Sequence, residues 1–204
     1  RFVTDTNCEL DVLEVTLPAE ADDTVLATMR AMIDLGHNDP SRKYLIWMDA
    51  ARYCGIAQIF SDDSAGQGNL HNGAKPMYAR VDSACWDSAT AAVHELVHVL
   101  GGVQPSAPNA SANYHCLDEE DALCYKDSAD VELSFDCPRE NIGYLDCNHN
   151  DYYHPKPPAN SYLDTHWNVA DSSFLHAGSE SDPVPEPSNQ APVVRAGADI
   201  TVDL

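Results

Sequence analysis

The sequence is poor in basic residues. It has 11 Lys and Arg against 33 Asp and Glu in 204 residues, which gives a formal net charge of −22. A protein with this balance repels phosphate backbones and anionic membrane surfaces. We therefore expect no nucleic acid partner.

Long apolar runs are also missing. No stretch reaches the ~18 consecutive apolar residues that a membrane helix needs. The chain does not open with the basic and then apolar segments of a signal peptide. We expect no membrane insertion, and the opening at Arg1 is as expected for a processed product.

The seven cysteines include no CxxC pair, which argues against a structural cysteine zinc site. Single, scattered cysteines in this number are typical of disulfides in an oxidising compartment, so we expect a secreted protein. Because seven is odd, one thiol is free or pairs outside this sequence. Cys137 and Cys147 form the most plausible pair, since Gly143 between them can supply a turn.

Hydrophobic periodicity predicts a mixed α+β domain. Apolar residues alternate along 10–17 as in a half-buried strand, and a helix is expected from Asp22 or Asp23 to Gly36. A second helix, capped by Asp87 or Ser88, is expected to end at Gly101. Three further apolar runs predict strands at 43–49, 56–60 and 77–81.

The chain changes character after Gly102. Residues 1–102 predict an N-terminal subdomain with a twisted mixed sheet and two helices, whereas 103–177 predict an irregular subdomain held by disulfides and metal. Together they form one domain, 1–177, with a cleft between its halves. Residues 178–190 are rich in Ser, Pro and Glu and predict a linker. Residues 191–204 resemble the first strand of a PKD-like, immunoglobulin-type module.

The second predicted helix carries the motif His94-Glu95-Leu96-Val97-His98. Residues four apart lie one turn above each other, so the two imidazoles can bind one zinc ion. Glu95 then lies beside the metal, where it can act as general base for a metal-activated water. The expected number of such motifs in a random chain of this composition is about 0.02. The motif predicts a zinc endopeptidase acting on protein or peptide substrates.

The segment HELVHVLGGVQ (94–104) resembles the metzincin consensus HExxHxxGxxH. Gly101 matches the consensus glycine, whereas Gln104 stands where that family has its third histidine. The segment DALCY (121–125) resembles the methionine turn of metzincins, with Leu123 in place of Met. Residues 43–167 as a whole resemble secreted bacterial metzincin-like proteins that pair HExxHxxG with HCxDxxD, a hydrophobic residue and CY. The resemblance implies a metzincin-like fold with zinc in its cleft.

The third zinc ligand must come from another part of the sequence. His115 is the first choice and Asp118 the second, because imidazole and carboxylate both complete two-histidine zinc sites. Further candidates stay open: Gln104, Asp121, Glu119 and Glu120. Tyr125 is expected to face the zinc as an auxiliary ligand or transition-state donor, or else to be a packed tyrosine.

Two further predictions concern metals and function. Oxygen donors alternate along 146–151, as in a loop that wraps Ca²⁺, although a polar turn explains them as well. His149 and His154 are expected to be ordinary surface histidines. Two other functions remain possible: a non-catalytic secreted binding module with a structural zinc, and a zinc hydrolase acting on a non-peptide amide.

Overall fold

The structure is a computed structural model that describes residues 12–73, 75–118, 121–134, 136 and 144–175. This part of the chain contains three α-helices and one three-stranded mixed sheet. The prediction of a mixed fold with both helices and strands is confirmed. No helix of the described residues is long and apolar enough to cross a membrane.

The sheet is formed by β1 (Lys43–Met48), β2 (Gly55–Ala57) and β3 (Met77–Asp82), in the order β1-β3-β2. β1 runs parallel to β3, and β2 runs antiparallel to it. All six residues of β3 are buried, as expected for a central strand covered on both faces. The three strands predicted from apolar runs are confirmed, with shifts of one to three residues at their ends.

Helix α1 (Val25–Asp34) covers one face of the sheet. Its N-cap is Thr24, whose hydroxyl accepts a hydrogen bond from the Ala27 N–H at 3.1 Å. The helix begins later than predicted because Ala19–Asp22 forms a separate 3₁₀ turn. Met32 of α1 packs against Ile46 of β1 and Tyr78 of β3.

Helix α2 (Ala89–Val99) covers the other face and carries the histidine motif. Ser88, one of the two predicted caps, accepts a hydrogen bond from the Ala91 N–H at 3.1 Å. Val99 is fully buried against Met77 and Ala79 of β3. The helix ends at the predicted glycine pair, where Gly101 has a left-handed φ of 98°.

The strand predicted over 10–17 is wrong for its described part, residues 12–17, which have no regular structure. Val12 and Leu13 are 71% and 60% exposed. No described strand pairs with this segment. An alternating pattern alone cannot hold a strand without a neighbour that takes its backbone hydrogen bonds.

The chain after Gly102 is mostly irregular, as predicted, with one short α-helix, α3 (Tyr162–Thr165), and one 3₁₀ turn (Val169–Asp171) among its described residues. Its core nonetheless joins the two halves of the molecule, because α2 and the later loops share one hydrophobic cluster. The fully or nearly fully buried members of this cluster include Val97, Leu100, Val103, Leu123, Tyr152 and Val169.

Two disulfides lie within the described residues. Cys54–Cys85 joins the start of β2 to the turn before α2, and Cys116–Cys124 closes a loop in the irregular part. Cys147 is also disulfide-bonded. Cys8 and Cys137 lie outside the described residues, so the Cys137–Cys147 pairing stays a prediction. The predicted linker and PKD-like strand also lie outside them.

Candidate metal centre

Three histidines from two parts of the chain meet beside α2. His94 and His98 lie one turn apart on the helix, and His115 comes from the loop after Gly102. The Nε2 atom of His98 lies 3.0 Å from that of His94 and 3.2 Å from that of His115. The structure therefore brings together both motif histidines and the first-choice third ligand.

The other ring nitrogen of each histidine has an oxygen acceptor. His94 Nδ1 donates to the Ala122 carbonyl at 2.9 Å, and His98 Nδ1 donates to the Gly102 carbonyl at 2.7 Å. His115 Nδ1 donates to Asp127 Oδ2 at 3.0 Å. Because an oxygen of this kind only accepts, each neutral ring carries its proton on Nδ1. The three Nε2 atoms therefore present lone pairs to one another.

Lone pairs that face each other repel unless a cation lies between them. Zinc binds imidazole nitrogen at about 2.0–2.1 Å, which places two nitrogens of a tetrahedral site about 3.3 Å apart. The observed Nε2 separations of 3.0 and 3.2 Å are close to this value. Ligating histidines also commonly donate their second N–H to a carbonyl or carboxylate. The donor set thus fits a metal ion such as zinc.

A second group, Cys116, Asp121 and Cys124, also has donor atoms close together. Its two cysteines are joined in a disulfide, so they have no thiolates to bind a metal. The three-histidine group is therefore the better candidate.

Burial keeps the three histidines neutral. It lowers the pKa of His94 to about 4 and that of His98 to about 3, with the neighbouring imidazoles acting in the same direction. Burial also lowers the pKa of His115, although the Asp127 carboxylate opposes this shift. Neutral imidazole is the form that binds metals.

Glu95 lies on α2 between the helix and strand β2, and only 7% of it is exposed. Burial raises the pKa of its carboxyl group to about 8. The space for this side chain is provided by Gly55 of β2, since a Cβ on Gly55 would overlap the Glu95 carboxylate. An acid held in this way at the edge of a sheet is typical of a residue that exchanges protons.

Tyr125 lies against the histidines. Its ring centre is 4.3 Å from that of His115 and 5.7 Å from that of His94, and the residue is 45% exposed. Burial, together with the charges of Asp127 and Glu95, raises the pKa of its hydroxyl. The predicted role of Tyr125 stays a prediction, and its position beside the three histidines is compatible with it.

The segment 121–125 passes directly under the histidines. Ala122 provides the carbonyl that orients His94, and Leu123 is fully buried in the cluster that contains Val97 and Leu100. Leu123 thus forms an apolar floor at the place where the sequence resembles a methionine turn. The Cys116–Cys124 disulfide connects the residues next to His115 and Tyr125.

Gln104 has a structural role in this geometry. Its Oε1 accepts from the Asp62 N–H at 3.0 Å, and its Nε2 donates to the carbonyls of Phe60 and Gly101 at 3.1 and 3.0 Å. The side chain is 2% exposed. It holds the loop after β2 against the end of α2, and both ends of its amide are used away from the three Nε2 atoms.

Asp118 and Asp121 are buried acids with other partners. Asp118 Oδ2 accepts from the Asn148 side chain at 3.1 Å. Asp121 accepts from the N–H groups of Leu123 and Cys147, and burial raises its pKa to about 6. Neither belongs to the three-histidine group. Glu119 and Glu120 lie outside the described residues.

The loop with the predicted calcium donors is organised by Asp146. This carboxylate accepts hydrogen bonds from four successive main-chain N–H groups, at 2.6–3.0 Å. The Asp151 carboxylate likewise accepts hydrogen bonds from the main-chain N–H and the side-chain amide of Asn109. These contacts explain the alternating oxygens as a polar turn, and the calcium site stays a prediction.

Asp127 is a site residue that sequence reasoning missed. It accepts hydrogen bonds from His115 Nδ1 and from the Ser111 hydroxyl, and its side chain is only 4% exposed. Its position two residues after Tyr125 is the one signal that could have suggested it.

No protein family model matches the sequence, and no curated protein or solved structure matches it. The functional conclusion therefore depends on the geometry of the centre itself.

Proposed function

We propose that this protein is a secreted zinc endopeptidase of metzincin-like type. The observation that carries the proposal is the convergence of three Nε2 lone pairs, from His94, His98 and His115, beside α2, the helix that also carries the buried carboxyl group of Glu95. The two disulfides formed between described cysteines support an oxidising, extracellular location.

The three histidines would hold the zinc ion. When bound, zinc supplies the Lewis acidity that lowers the pKa of water and polarises a carbonyl group. Ala122, Gly102 and Asp127 fix the ring orientations, so that the ligands need little rearrangement on binding. In this proposal Asp118 is not a zinc ligand.

Glu95 would act as the general base in its ionised form, which a zinc cation held beside it by the histidines would favour over the protonated form. It lies one residue from His94, on the side of α2 that faces β2, and Gly55 leaves it room. Its role is to take a proton from the attacking water and later give it to the leaving amine. Tyr125 would donate a hydrogen bond to the developing negative charge on the substrate carbonyl oxygen.

Strand β2 would bind the substrate backbone. It is an edge of the described sheet. The Cys54 carbonyl and the Gln58 N–H bond to β3, so by alternation the main-chain groups of Gly55 and Ala57 point away from the sheet. An extended peptide can add to such an edge, which would bring its backbone next to Glu95.

The metal is tested by elemental analysis of the purified protein. We expect one zinc per chain in the wild type, and loss of zinc in the variants His94→Ala, His98→Ala and His115→Ala. His37→Ala is the matched control, because His37 contacts Tyr44 of β1 and does not belong to the three-histidine group. If His115→Ala retains zinc as His37→Ala does, the proposed third ligand is wrong.

The chemistry is tested by hydrolysis of casein. We expect Glu95→Gln to keep zinc and to lose at least about 10²-fold in kcat, the usual contribution of a general base. Glu14→Gln removes the same charge at an exposed position and should have no effect. Full activity of Glu95→Gln contradicts the mechanism. A wild type that holds zinc and cleaves no peptide supports a structural zinc or a non-peptide amide substrate.

A further inference from the structure

An open, mainly polar cavity lies at the end of the segment that follows β2. Its volume is about 330 Å³, and it is lined by Ser61, Asp63, Gln104, Pro105 and Ser106. None of the three proposed zinc ligands, Glu95 or Tyr125 borders it. We call it the Asp63 cavity, and it is separate from the proposed catalytic centre.

Two hydroxyl groups hold the Asp63 carboxylate in place. Ser106 Oγ donates to Asp63 Oδ2 at 2.6 Å, because a carboxylate oxygen only accepts. The Tyr162 hydroxyl lies 2.7 Å from Ser106 Oγ, whose single proton is used, so the tyrosine is the donor of this second bond. Among the described residues, Asp63 Oδ1 has no hydrogen-bond donor and the carboxylate has no Lys or Arg partner. Both bonds are exposed, so a ligand can reach the carboxylate.

The charge of the cavity favours a cationic ligand. Asp63 is the single charged member of the described lining. The Gln104 amide offers the ligand nothing, because it is bound to the Asp62 N–H and to the carbonyls of Phe60 and Gly101. An ammonium or guanidinium group is compensated at such a place, whereas an anion is repelled. The volume, near the lower end of the ~300–1,000 Å³ range of ligand pockets, suits one long side chain.

The segment after β2 connects the proposed catalytic site with the Asp63 cavity. At one end Gly55 lies against the Glu95 carboxylate, and at the other Ser61, six residues later, borders the cavity. Neither a turn nor a bend interrupts residues 58–61. At about 3.3 Å per residue the two ends are at most about 20 Å apart, a distance that a peptide of seven extended residues spans.

The outer edge of β2 is open over most of this distance. The Gln58 N–H bonds to the Tyr78 carbonyl, so the pairing with β3 continues one residue beyond β2. By alternation the main-chain groups of Ile59, like those of Gly55 and Ala57, point away from β3. An extended peptide added to this edge is therefore directed towards the Asp63 cavity.

We propose that the Asp63 cavity is a distal subsite that binds one Lys or Arg side chain of the peptide substrate. The inference rests on the proposed peptidase function and names its preferred substrates. Antiparallel pairing is the more stable arrangement, and in it the substrate residues opposite Ser61 precede those opposite Gly55. The basic residue would lie about six positions before the cleaved bond. The net charge of −22 would attract the same substrates at longer range.

The subsite is tested with synthetic peptides built around one casein bond that the zinc-loaded protein cleaves. A single Arg is placed in turn at each position from the fourth to the eighth before this bond. Citrulline, which has the shape of Arg without its charge, replaces it in the matched peptides. We expect kcat/KM to be about five- to tenfold higher for Arg than for citrulline at one or two neighbouring positions, as for a partly exposed, hydrogen-bonded ion pair.

Asp63→Asn should reduce this Arg-to-citrulline ratio to about one, because the carboxylate charge is removed. Both peptides are measured with the same preparation, so a partial loss of folded protein cancels in the ratio. Asp49→Asn is the matched control, since it removes the same charge at an exposed position just after β1 and should keep the ratio of the wild type.

Three results overturn the subsite. One is a ratio near one at every scanned position while the peptides are still cleaved, which leaves the peptidase function intact. Another is an unchanged ratio in Asp63→Asn. The third is an equal fall in Asp49→Asn, which assigns the preference to the overall charge. If the protein cleaves neither casein nor any peptide, the proposed function itself is wrong, and the subsite is rejected with it.

Discussion

Gly55 is the residue that lets Glu95 lie against the edge of the sheet. A methyl group at this position would overlap the carboxylate, so Gly55→Ala must displace Glu95. We expect at least a tenfold loss of kcat on casein with the zinc content unchanged, because the metal ligands lie on other parts of the site.

Gly68→Ala provides the control for this substitution. A Cβ at Gly68 meets nothing within 4 Å, so the same chemical change is tolerated there. Equal activities of the two variants would show that the position of Glu95 does not matter for the reaction.

Asp127 is a positioning residue for His115. In Asp127→Asn the bond to Nδ1 is weakened and the charge beside the imidazole is removed, so we expect zinc affinity to fall about 10–100-fold. Competition with a chelator measures this affinity. The melting temperature of the zinc-free protein is recorded in parallel, which separates the metal effect from a general loss of structure.

Asp130→Asn is the matched control for Asp127, since Asp130 is exposed on the same loop. It should keep the affinity of the wild type. An unchanged affinity of Asp127→Asn contradicts the role assigned to this carboxylate.

At the scale of elements, the two disulfides that lie within the described residues support different parts of the site. Cys116–Cys124 closes a short loop, with a sequence separation of 8, between His115 and Tyr125. Cys54–Cys85, with a separation of 31, anchors β2 to the turn before α2. Loop entropy gives stabilisations of about 2.5 and 3.7 kcal/mol respectively.

We expect the two double Cys→Ala variants to rank in the opposite order when their effects on zinc affinity are compared. Loss of Cys116–Cys124 should cost less stability, but it should weaken zinc binding at least tenfold because His115 loses its support. Loss of Cys54–Cys85 should cost more stability and leave zinc affinity near that of the wild type. Urea unfolding in EDTA and chelator competition measure the two quantities. Equal zinc affinities would contradict the assignment.

The elements that were predictable are those whose own residues determine them. Ser88 and Gly101 mark the ends of α2, and continuous apolar runs mark β1 and β3. The segment 12–17 has a strand pattern but no partner strand, and a single segment does not reveal its partner. Helix geometry is likewise local, so the motif alone identified His94 and His98 as candidate ligands. The choice between His115 and Asp118 depends on the path of an irregular loop, which the sequence does not reveal.

The role of Gln104 was beyond sequence reasoning because it depends on contacts with Phe60 and Asp62, more than 40 positions away. Asp127 was missed since no local pattern relates it to His115. Both residues act through hydrogen bonds that only the folded chain brings together.

At the scale of the whole molecule, acid should destabilise the fold through His71. This histidine is fully buried, accepts from the Phe60 N–H at 3.1 Å, and has a pKa lowered by burial to about 4. The unfolded chain therefore binds more protons than the native state between pH 6.5 and 4, and stability falls as the pH decreases through this range. Between pH 7 and 5 the loss from His71 is about 2 kcal/mol.

His71→Gln isolates this contribution. Asp121, with its pKa raised to about 6, acts in the opposite direction and gains stability as the pH falls, but it is present in both proteins. Urea unfolding at pH 7 and pH 5 should therefore show a smaller acid-induced loss in the variant than in the wild type. The same pH dependence in both proteins would exclude His71 as the cause.

The three histidines differ in how their orientation can change by mutation. Main-chain carbonyls orient His94 and His98, and no substitution at Ala122 or Gly102 deletes a carbonyl. A side chain orients His115, so a single codon change at Asp127 would alter the orientation of His115 and with it the affinity for the proposed zinc ion. At the proposed zinc site, selection can therefore adjust metal affinity in small steps at one position while the other two histidines keep their orientation. An engineer who wishes to exchange the proposed metal should begin at the Asp127–His115 pair.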